Sequence, residues 1–161
     1  MPLPSDAPVY AIALGSNRPG RHGRPADEVR AAIRAIGGVV ASSRIMPTPP
    51  LGPSIRCYAN AAILIASDED PPALLARLKA IERDFGRRAG RRWGPRVIDL
   101  DIILWSAGLW ADTALTVPHP AFRSRAFVLG PLCQIAPSWR DPVTGLTVRQ
   151  LLHRLRRPDK I

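Results

Sequence analysis

Two aspartates interrupt an apolar segment past the middle of the chain. Residues 97–104 read Val-Ile-Asp-Leu-Asp-Ile-Ile-Leu, which places Asp99 and Asp101 two residues apart. Alternate side chains of a strand share a face, so both carboxylates would point to the same side of a sheet. The same alternation predicts an apolar opposite face, made of Ile98, Leu100, Ile102 and Leu104.

The carboxylate pair calls for a partner. Neighbouring carboxylates repel each other, and aspartate is disfavoured in the middle of a strand. A divalent cation relieves this repulsion, because Mg²⁺ binds one or two carboxylates and keeps positions for phosphate oxygens. The pattern therefore favours a metal site at Asp99 and Asp101. The alternative is a pair of solvated aspartates neutralised by neighbouring arginines.

An arginine-rich segment directly precedes the aspartates. Residues 86–96 contain five arginines and three glycines. Repulsion between like charges disfavours a helix here, and the composition predicts a cationic loop that binds polyphosphate. Arginines beside a metal-binding carboxylate pair are the arrangement that phosphoryl transfer requires. Taken alone, the loop could equally be solvated or grip a nucleic-acid backbone, and Trp93 could be a core anchor or a ligand-stacking residue.

Three smaller patterns agree with a site for a flat, phosphorylated ligand. Tyr58 and Asn60 follow a proline-rich segment, and an asparagine offers donors and an acceptor to the edge of a heterocycle. His119 lies between two prolines. The turn after the first predicted strand, at residues 15–17, could bind an anion. Each of these residues also has an ordinary structural interpretation.

Length and composition set the frame for these residues. The chain has 161 residues, and its 23 basic and 13 acidic side chains give a net charge of +10. This length is typical of one domain. We expect residues 1–8 to form a flexible lead-in and residues 9–161 a single domain. The absence of a long apolar run, a secretory signal or a cysteine framework predicts a cytoplasmic protein with no membrane partner.

The elements that must position the candidate residues follow from hydrophobic periodicity and turn signals. Strands are predicted at 9–14, 39–46, 58–66 and 96–105, with helices at 25–36 and 73–85. The order strand, helix, strand, strand, helix, strand is the split βαβ pattern of an α+β, ferredoxin-like sandwich with an antiparallel sheet. Residues from 109 onwards would add a hairpin and short helices.

A series of segments along nearly the whole chain resembles the 6-hydroxymethyl-7,8-dihydropterin pyrophosphokinases of folate biosynthesis. In chain order the segments are ALGSN at 13–17, TPPLG at 48–52, YANAA at 58–62, RWGPRVIDLD at 92–101, VPHP at 117–120 and RAFVL at 125–129. The resemblance implies a ferredoxin-like core and transfer of pyrophosphate from ATP to the pterin hydroxymethyl group, releasing AMP. It also implies two Mg²⁺ ions as cofactors.

The site residues that the resemblance implies fall into three groups. Metal binding is implied for Asp99 and Asp101, and catalysis for these two with Arg87 and Arg96. The implied ATP-binding residues are Glu82, Arg87, Trp93, Arg96, Ile98, Thr116, His119 and Arg125. The implied pterin-binding residues are Thr48, Pro49, Leu51, Tyr58, Asn60, Asp99 and Phe127. ATP and the pterin are thus the expected partners, with no nucleic acid, and the protein is expected to be a monomer.

The chain departs from the family pattern in three places, one of which is a slightly short proline-rich loop before Tyr58. Ala114 occupies a position where some members carry a phosphate-contacting arginine, and Arg123 is a candidate replacement. The segment from Gly86 to Trp93 is one residue shorter than in familiar members, which leaves the roles of its other arginines open. The competing hypothesis is an RNA-binding domain, which the net charge allows, but the aromatic RNP1 pattern of such domains is absent.

Overall fold

One antiparallel sheet organises the chain, with helices on both of its faces. The computed structural model describes residues 7–48, 58–86 and 97–157. The strands are β1 (Val9–Ser16), β2 (Val39–Ser42), β3 (Met46–Thr48), β4 (Tyr58–Ala66), β5 (Asp99–Trp105), β6 (Trp110–Ala111) and β7 (Thr116–Val117). The helices are α1 (Pro25–Ile36), α2 (Pro71–Gly86), α3 (Ala126–Ile135) and α4 (Val148–Arg156), with a 3-10 turn at Phe122–Ser124.

The strand order confirms the predicted ferredoxin-like fold. β2, β4, β1 and β5 lie side by side in that order, and β1 is antiparallel to both of its neighbours. β3 pairs with the first residues of β4, and β6 and β7 form a separate hairpin. The first and fourth strands of the split βαβ pattern therefore meet, which places Asp99 and Asp101 beside β1, on the edge strand β5.

The strand predicted at 39–46 is in fact two strands, β2 and β3. Ser43 separates them, because its hydroxyl oxygen takes the place of a backbone acceptor. The Ala62 N–H donates to Ser43 Oγ at 2.9 Å, and the Ser43 N–H donates to the Ala62 carbonyl at 2.9 Å. A side chain that competes for ladder hydrogen bonds breaks the strand at this position.

Helices α1 and α2 cover the first face of the sheet. α1 begins at Pro25, whose fixed φ suits a first turn, and ends before Gly37, which has a positive φ of 68°. Asp70 caps α2 by accepting the Ala73 N–H at 2.9 Å. α1 begins at the predicted residue, whereas α2 begins at Pro71, two residues before the predicted start, directly after its predicted cap. The core of this face is apolar and includes Tyr10, Ile12, Leu14, Val29, Ile63, Leu74, Leu78, Ile98, Leu100 and Ile102.

Helices α3 and α4 cover the second face, and a bulge in β5 corrects one prediction for it. Ala11 pairs with Leu104, but the next residue, Ile12, pairs with Ile102. The extra residue, Ile103, reverses the alternation, as a β-bulge does. Leu104 therefore joins the core beneath α3 and α4 and not the apolar face of Leu100 and its neighbours. No helix within the described residues is long and apolar enough to cross a membrane.

Candidate active site

The candidate site lies on the second face of the sheet, at the end where β1 finishes and β5 begins. Two cross-strand rows run over β4, β1 and β5 there. The first row is Asn60, Gly15 and Asp99, and the second is Ala62, Ala13 and Asp101. Adjacent strands are about 4.8 Å apart, so each row spans roughly 10 Å. The rows place an amide and two carboxylates along one surface.

Gly15 makes this surface possible. A Cβ on Gly15 would lie 3.0 Å from Asn60 Oδ1, closer than ordinary side-chain contacts allow. Asn60 is buried, with 6% of its surface exposed. The sequence predicted a turn at residues 15–17, but β1 continues through Ser16. The glycine is therefore needed for the close approach of Asn60, and local sequence patterns do not reveal such a requirement.

The two aspartates differ in exposure but share one direction. Asp99 is exposed and Asp101 is half-buried, while their strand neighbours Leu100 and Ile102 are buried in the first core. No group of three or more His, Cys, Asp or Glu side chains able to hold a metal occurs among the described residues. Two carboxylates suit Mg²⁺, which binds through one or two carboxylates and takes its other ligands from water and phosphate. The donor set therefore fits Mg²⁺ together with a phosphorylated substrate.

Glu82 holds the backbone between the two aspartates. The Leu100 N–H donates to Glu82 Oε2 at 2.9 Å, and Lys79 Nζ lies 3.5 Å from Glu82 Oε1. The Glu82 side chain is only 9% exposed. A charged acceptor at this position fixes the start of β5, and with it the spacing of the two carboxylates.

His119 reaches the site from the segment after β7. Its backbone N–H donates to the Ile103 carbonyl at 2.9 Å, and its ring Nδ1 accepts the Ala121 N–H at 3.1 Å. This hydrogen bond assigns the proton of the neutral ring to Nε2. Burial lowers the pKa of His119 below its usual value, Asp101 opposes that shift, and Arg125 adds to it. His119 therefore offers a neutral N–H donor between a carboxylate and a guanidinium.

Arg125 and Phe127 stand at the beginning of α3. The Arg125 guanidinium carbon lies 5.7 Å from the centre of the Phe127 ring, within the range of a cation–π contact. Phe127 is 40% exposed and Tyr58 is 41% exposed. Large aromatic rings left this open in a folded chain are typical of surfaces that stack against a ligand.

Other predicted residues occupy different surroundings. Ile98 is 1% exposed and packs within the first core. Thr116 lines an open cavity of about 400 Å³ beside the β6–β7 hairpin. Tyr58 borders an apolar cavity of about 650 Å³ with Asn17, Arg24 and Pro47, but neither Asn60 nor the aspartates line it.

Arg123, the candidate replacement for the arginine missing at Ala114, forms an ion pair with a buried carboxylate. Its guanidinium donates to Asp141 through Nε at 2.6 Å and through Nη2 at 2.8 Å. Asp141 is fully buried and also accepts from Thr144 Oγ1 at 2.7 Å. A buried carboxylate therefore fixes the guanidinium in the support of α3 and α4, and Arg123 also lines the cavity that contains Thr116.

Several predicted residues lie outside the described part of the chain. These are Pro49, Leu51, Arg87, Trp93 and Arg96. Thr48 is the last described residue of β3, where it pairs with Tyr58. Among the described candidates, the structure brings together Asn60 and the two aspartates across β1 and sets His119 close to Asp101 and Arg125, with Phe127 beside Arg125. Tyr58 borders a separate cavity.

Comparison with known proteins gives a consistent result. A family model described as 7,8-dihydro-6-hydroxymethylpterin-pyrophosphokinase matches residues 11–137. Two similar proteins carry the name 2-amino-4-hydroxy-6-hydroxymethyldihydropteridine pyrophosphokinase. The one from Methylorubrum extorquens is 39% identical over 146 residues, covering 89% of this chain and 91% of its own. The one from Pseudomonas aeruginosa is 39% identical over 140 residues, covering 83% of each chain.

Shorter matches and solved structures extend the comparison. A Synechocystis protein of the same name is 42% identical over 104 residues, which cover 65% of this chain and 53% of that protein. A crystal structure of HPPK-DHPS in complex with substrates superimposes with a TM-score of 0.71 at 12% identity, covering 92% of this chain and 44% of that chain. Plasmodium falciparum HPPK-DHPS with pteroate gives 0.67 at 13% identity, covering 96% and 43%. At such low identity these structures show the fold alone.

Proposed function

The chain belongs to the 7,8-dihydro-6-hydroxymethylpterin-pyrophosphokinase family, and from this premise we propose how its residues carry out the reaction. The enzyme transfers pyrophosphate from ATP to the hydroxymethyl group of 6-hydroxymethyl-7,8-dihydropterin, in folate synthesis. The hydroxymethyl oxygen forms a bond to the β-phosphorus of ATP, and the bond from that phosphorus to the α-phosphate oxygen breaks. AMP leaves, and the hydroxyl proton passes to solvent.

The observation that carries the residue assignment is the placement of Asp99 and Asp101 on one face, beside small residues of β1. The family uses ATP together with Mg²⁺. We assign the two carboxylates as the metal ligands and propose that they hold two ions. When bound, Mg²⁺ neutralises triphosphate charge and aligns the phosphates. The Leu100 N–H bond to Glu82 keeps the two ligands in register.

Arg125 and His119 are proposed to bind the triphosphate from the other side. The guanidinium supplies charge-assisted hydrogen bonds, and the neutral imidazole donates its Nε2 proton. Arg87 and Arg96 are proposed to stabilise the charge that develops on the transferred group. The proposed ATP-binding set is completed by Glu82, Trp93, Ile98 and Thr116.

The pterin is proposed to bind between the rings of Tyr58 and Phe127, with Asn60 and Asp99 at its edge. Both exposed rings offer faces to a flat heterocycle, and the Asn60 amide offers donors and an acceptor to its edge. Thr48, Pro49 and Leu51 are proposed to border the same ring.

Positioning, and not strong base catalysis, is the proposed source of rate acceleration. Among the described site residues, His119 is the only one suited to accept a proton near neutral pH, and its Nδ1 is already bonded to the Ala121 N–H. Its remaining nitrogen carries the proton that donates to phosphate. Holding the hydroxyl in line with the scissile bond then supplies most of the effect.

The test is AMP release from ATP in the presence of Mg²⁺. Wild-type protein is incubated with and without the hydroxymethyl pterin, and AMP is separated by chromatography. We expect AMP and pterin pyrophosphate to appear together in equal amounts, and only when the pterin is present. AMP formation without the pterin, or none with it, would contradict the assignment.

Three properties of the whole chain complete the proposal. We propose that residues 9–161 act as one domain, that the enzyme is a monomer, and that it works in the cytoplasm, where ATP is supplied. Light scattering coupled to size-exclusion chromatography tests the monomer, with an expected mass of 17.5 kDa. A mass twice that value would contradict it.

A further inference from the structure

A fully buried carboxylate lies outside the site described so far. Glu28, on α1, has no exposed surface, and both of its oxygens are bonded to His22. Oε1 accepts the His22 backbone N–H at 2.8 Å, and Oε2 lies 2.7 Å from the His22 ring Nδ1. Burying a carboxylate is unfavourable unless its partners are well placed. Glu28 therefore holds the loop between β1 and α1 in one defined position.

That loop is in turn fixed to the end of α2. Backbone hydrogen bonds between Gly20 and Gly23, at 3.0 and 3.2 Å, close a tight turn around His22. The His22 ring lies 4.6 Å from the ring of buried Phe85, centre to centre. Arg21 Nη2 lies 2.8 Å from Asp84 Oδ2 in an exposed salt bridge. Two contacts thus join the turn to the last residues of α2.

Val97 connects the turn to the carboxylate pair. A Cβ on Gly20 would lie 2.7 Å from Val97 Cγ1 and 2.5 Å from Glu28 Oε1. A Cβ on Gly86 would lie 2.6 Å from Val97 Cγ2. The Val97 side chain therefore packs between Gly20 and Gly86, and a side chain at either glycine would overlap with it. It stands two residues before Asp99.

We propose that His22 and Glu28 are positioning residues for pyrophosphate transfer. They hold the turn at residues 20–23 against Val97, which also packs against Gly86. Because Val97 lies two residues before Asp99, we infer that this contact fixes the position of Asp99. This inference rests on the proposed role of Asp99 as a metal ligand. A polar pair suits the task because its hydrogen bonds fix direction, whereas apolar contacts of equal area would let the turn slide.

The test replaces carboxylate by amide at two matched glutamates. Glu28→Gln keeps size and one acceptor but removes the charge that engages His22. Glu69→Gln is the control. Glu69 also forms a salt bridge, with Arg77 at 2.9 Å, but it lies just before the first residue of α2, at the other end of that helix from Gly86. The measurements are kcat, calorimetric Kd for a non-hydrolysable ATP analogue with Mg²⁺, Tm, and hydrogen exchange in residues 97–101.

We expect Glu28→Gln to lower kcat at least about tenfold and to raise the analogue Kd about fivefold, with faster exchange in 97–101. Glu69→Gln should lower Tm while leaving kcat and Kd within about twofold of wild type. If Glu28→Gln lowers Tm but leaves kcat, Kd and exchange unchanged, the proposal is wrong.

Two further variants keep the test decisive. Val97→Ala removes the contact with the two glycines and leaves the polar pair intact, so it should reproduce the loss in kcat and Kd even if Glu28→Gln does not fold. Wild-type values in Val97→Ala would overturn the proposal. Normal turnover in Asp99→Asn would overturn both the metal assignment and the positioning proposal. If Asp99→Asn loses turnover but Glu28→Gln keeps a normal kcat, only the positioning role is overturned.

Discussion

The second face of the sheet has two ends that use the same strands for different purposes. At the apolar end, Ala11 and Leu104 pair across β1 and β5 and lie buried beneath α3 and α4. At the polar end, Gly15 and Asp99 pair across the same two strands. Strand geometry and alternation are the same at both ends. What differs is the helical cover, so residues at the covered end stabilise the fold and residues beyond it are available for chemistry.

The packing of α3 and α4 over the second face depends on a buried ion pair between Arg123 and Asp141. Although burial raises the pKa of Asp141, hydrogen bonds from Arg123, Thr144 and the Val143 N–H lower it to about 2. The same pair raises the pKa of Arg123, chiefly through its hydrogen bond to Asp141. Arg125, two residues along, interacts electrostatically with His119, which also faces Asp101, and is proposed to bind triphosphate. The border between stability and function therefore falls within a few residues of chain.

The largest effect is expected at the polar end. Asp101→Asn, and separately Asp99→Asn, should lower kcat at least about a hundredfold, because a carboxylate ligand of the Mg²⁺–triphosphate complex is lost. Tm should change little. Steady-state AMP release measures the effect, and Asp68→Asn, an exposed aspartate outside the site, is the matched control. If either variant keeps near-normal turnover, the polar end of the second face has no catalytic role that distinguishes it from the apolar end.

A smaller effect, on stability alone, is expected at Asp141, whose buried carboxylate supports α3 and α4. Asp141→Asn should lower the free energy of unfolding by about 2 kcal/mol at pH 7, because a pKa shift from 3.8 to about 2 is worth that much. The folded pKa is depressed, so this contribution is present above about pH 4 and is lost as pH falls towards 2. Urea unfolding at pH 7 and pH 3 tests it. A difference that grows as the pH falls would contradict the assignment.

The aromatic rings should affect pterin affinity more weakly. Tyr58→Ala or Phe127→Ala should raise the pterin Kd about tenfold, since a stacked ring contributes about 0.5–1.5 kcal/mol beyond its buried area. The Kd of these two variants for an ATP analogue should stay within about twofold of the wild-type value. Tyr58→Phe keeps the ring and is the control, so its Kd for the pterin should also stay within about twofold of wild type. Calorimetry separates the two ligands. Equal losses for both, together with a lower Tm, would mean that the rings are core residues.

The smallest effect concerns the pH dependence of ATP binding. The pKa of His119 is lowered in the free protein, chiefly by burial, so the ring is neutral at pH 7. A bound triphosphate favours the imidazolium, so binding takes up a proton at Nδ1, which gives up its hydrogen bond from the Ala121 N–H. Because that exchange opposes protonation, affinity should rise only about threefold from pH 8 to pH 6. Calorimetry in buffers of different ionisation enthalpy measures proton uptake. His119→Gln should lose it, and an unchanged pH slope in that variant would refute the role.

The limits of α1 and the cap of α2 follow from residues that act within a few positions of chain. Pro25, Gly37 and Asp70 impose local backbone geometry or supply a local acceptor, so reading them in order is enough. The bulge in β5 is different. It depends on how β1 and β5 pair, and the alternation of apolar residues gave no sign that Leu104 changes faces.

The sequence by itself determined the family, the order of elements and the pairing of Asp99 with Asp101 on one face, because motif and period-two alternation are local properties. Only the tertiary structure decided which end of that face stays polar, that Gly15 makes room for Asn60, and that Arg123 serves Asp141. It also decided that buried Glu28 holds a turn that packs against Val97. Each of these depends on residues far apart in the chain, and packing alone brings them together.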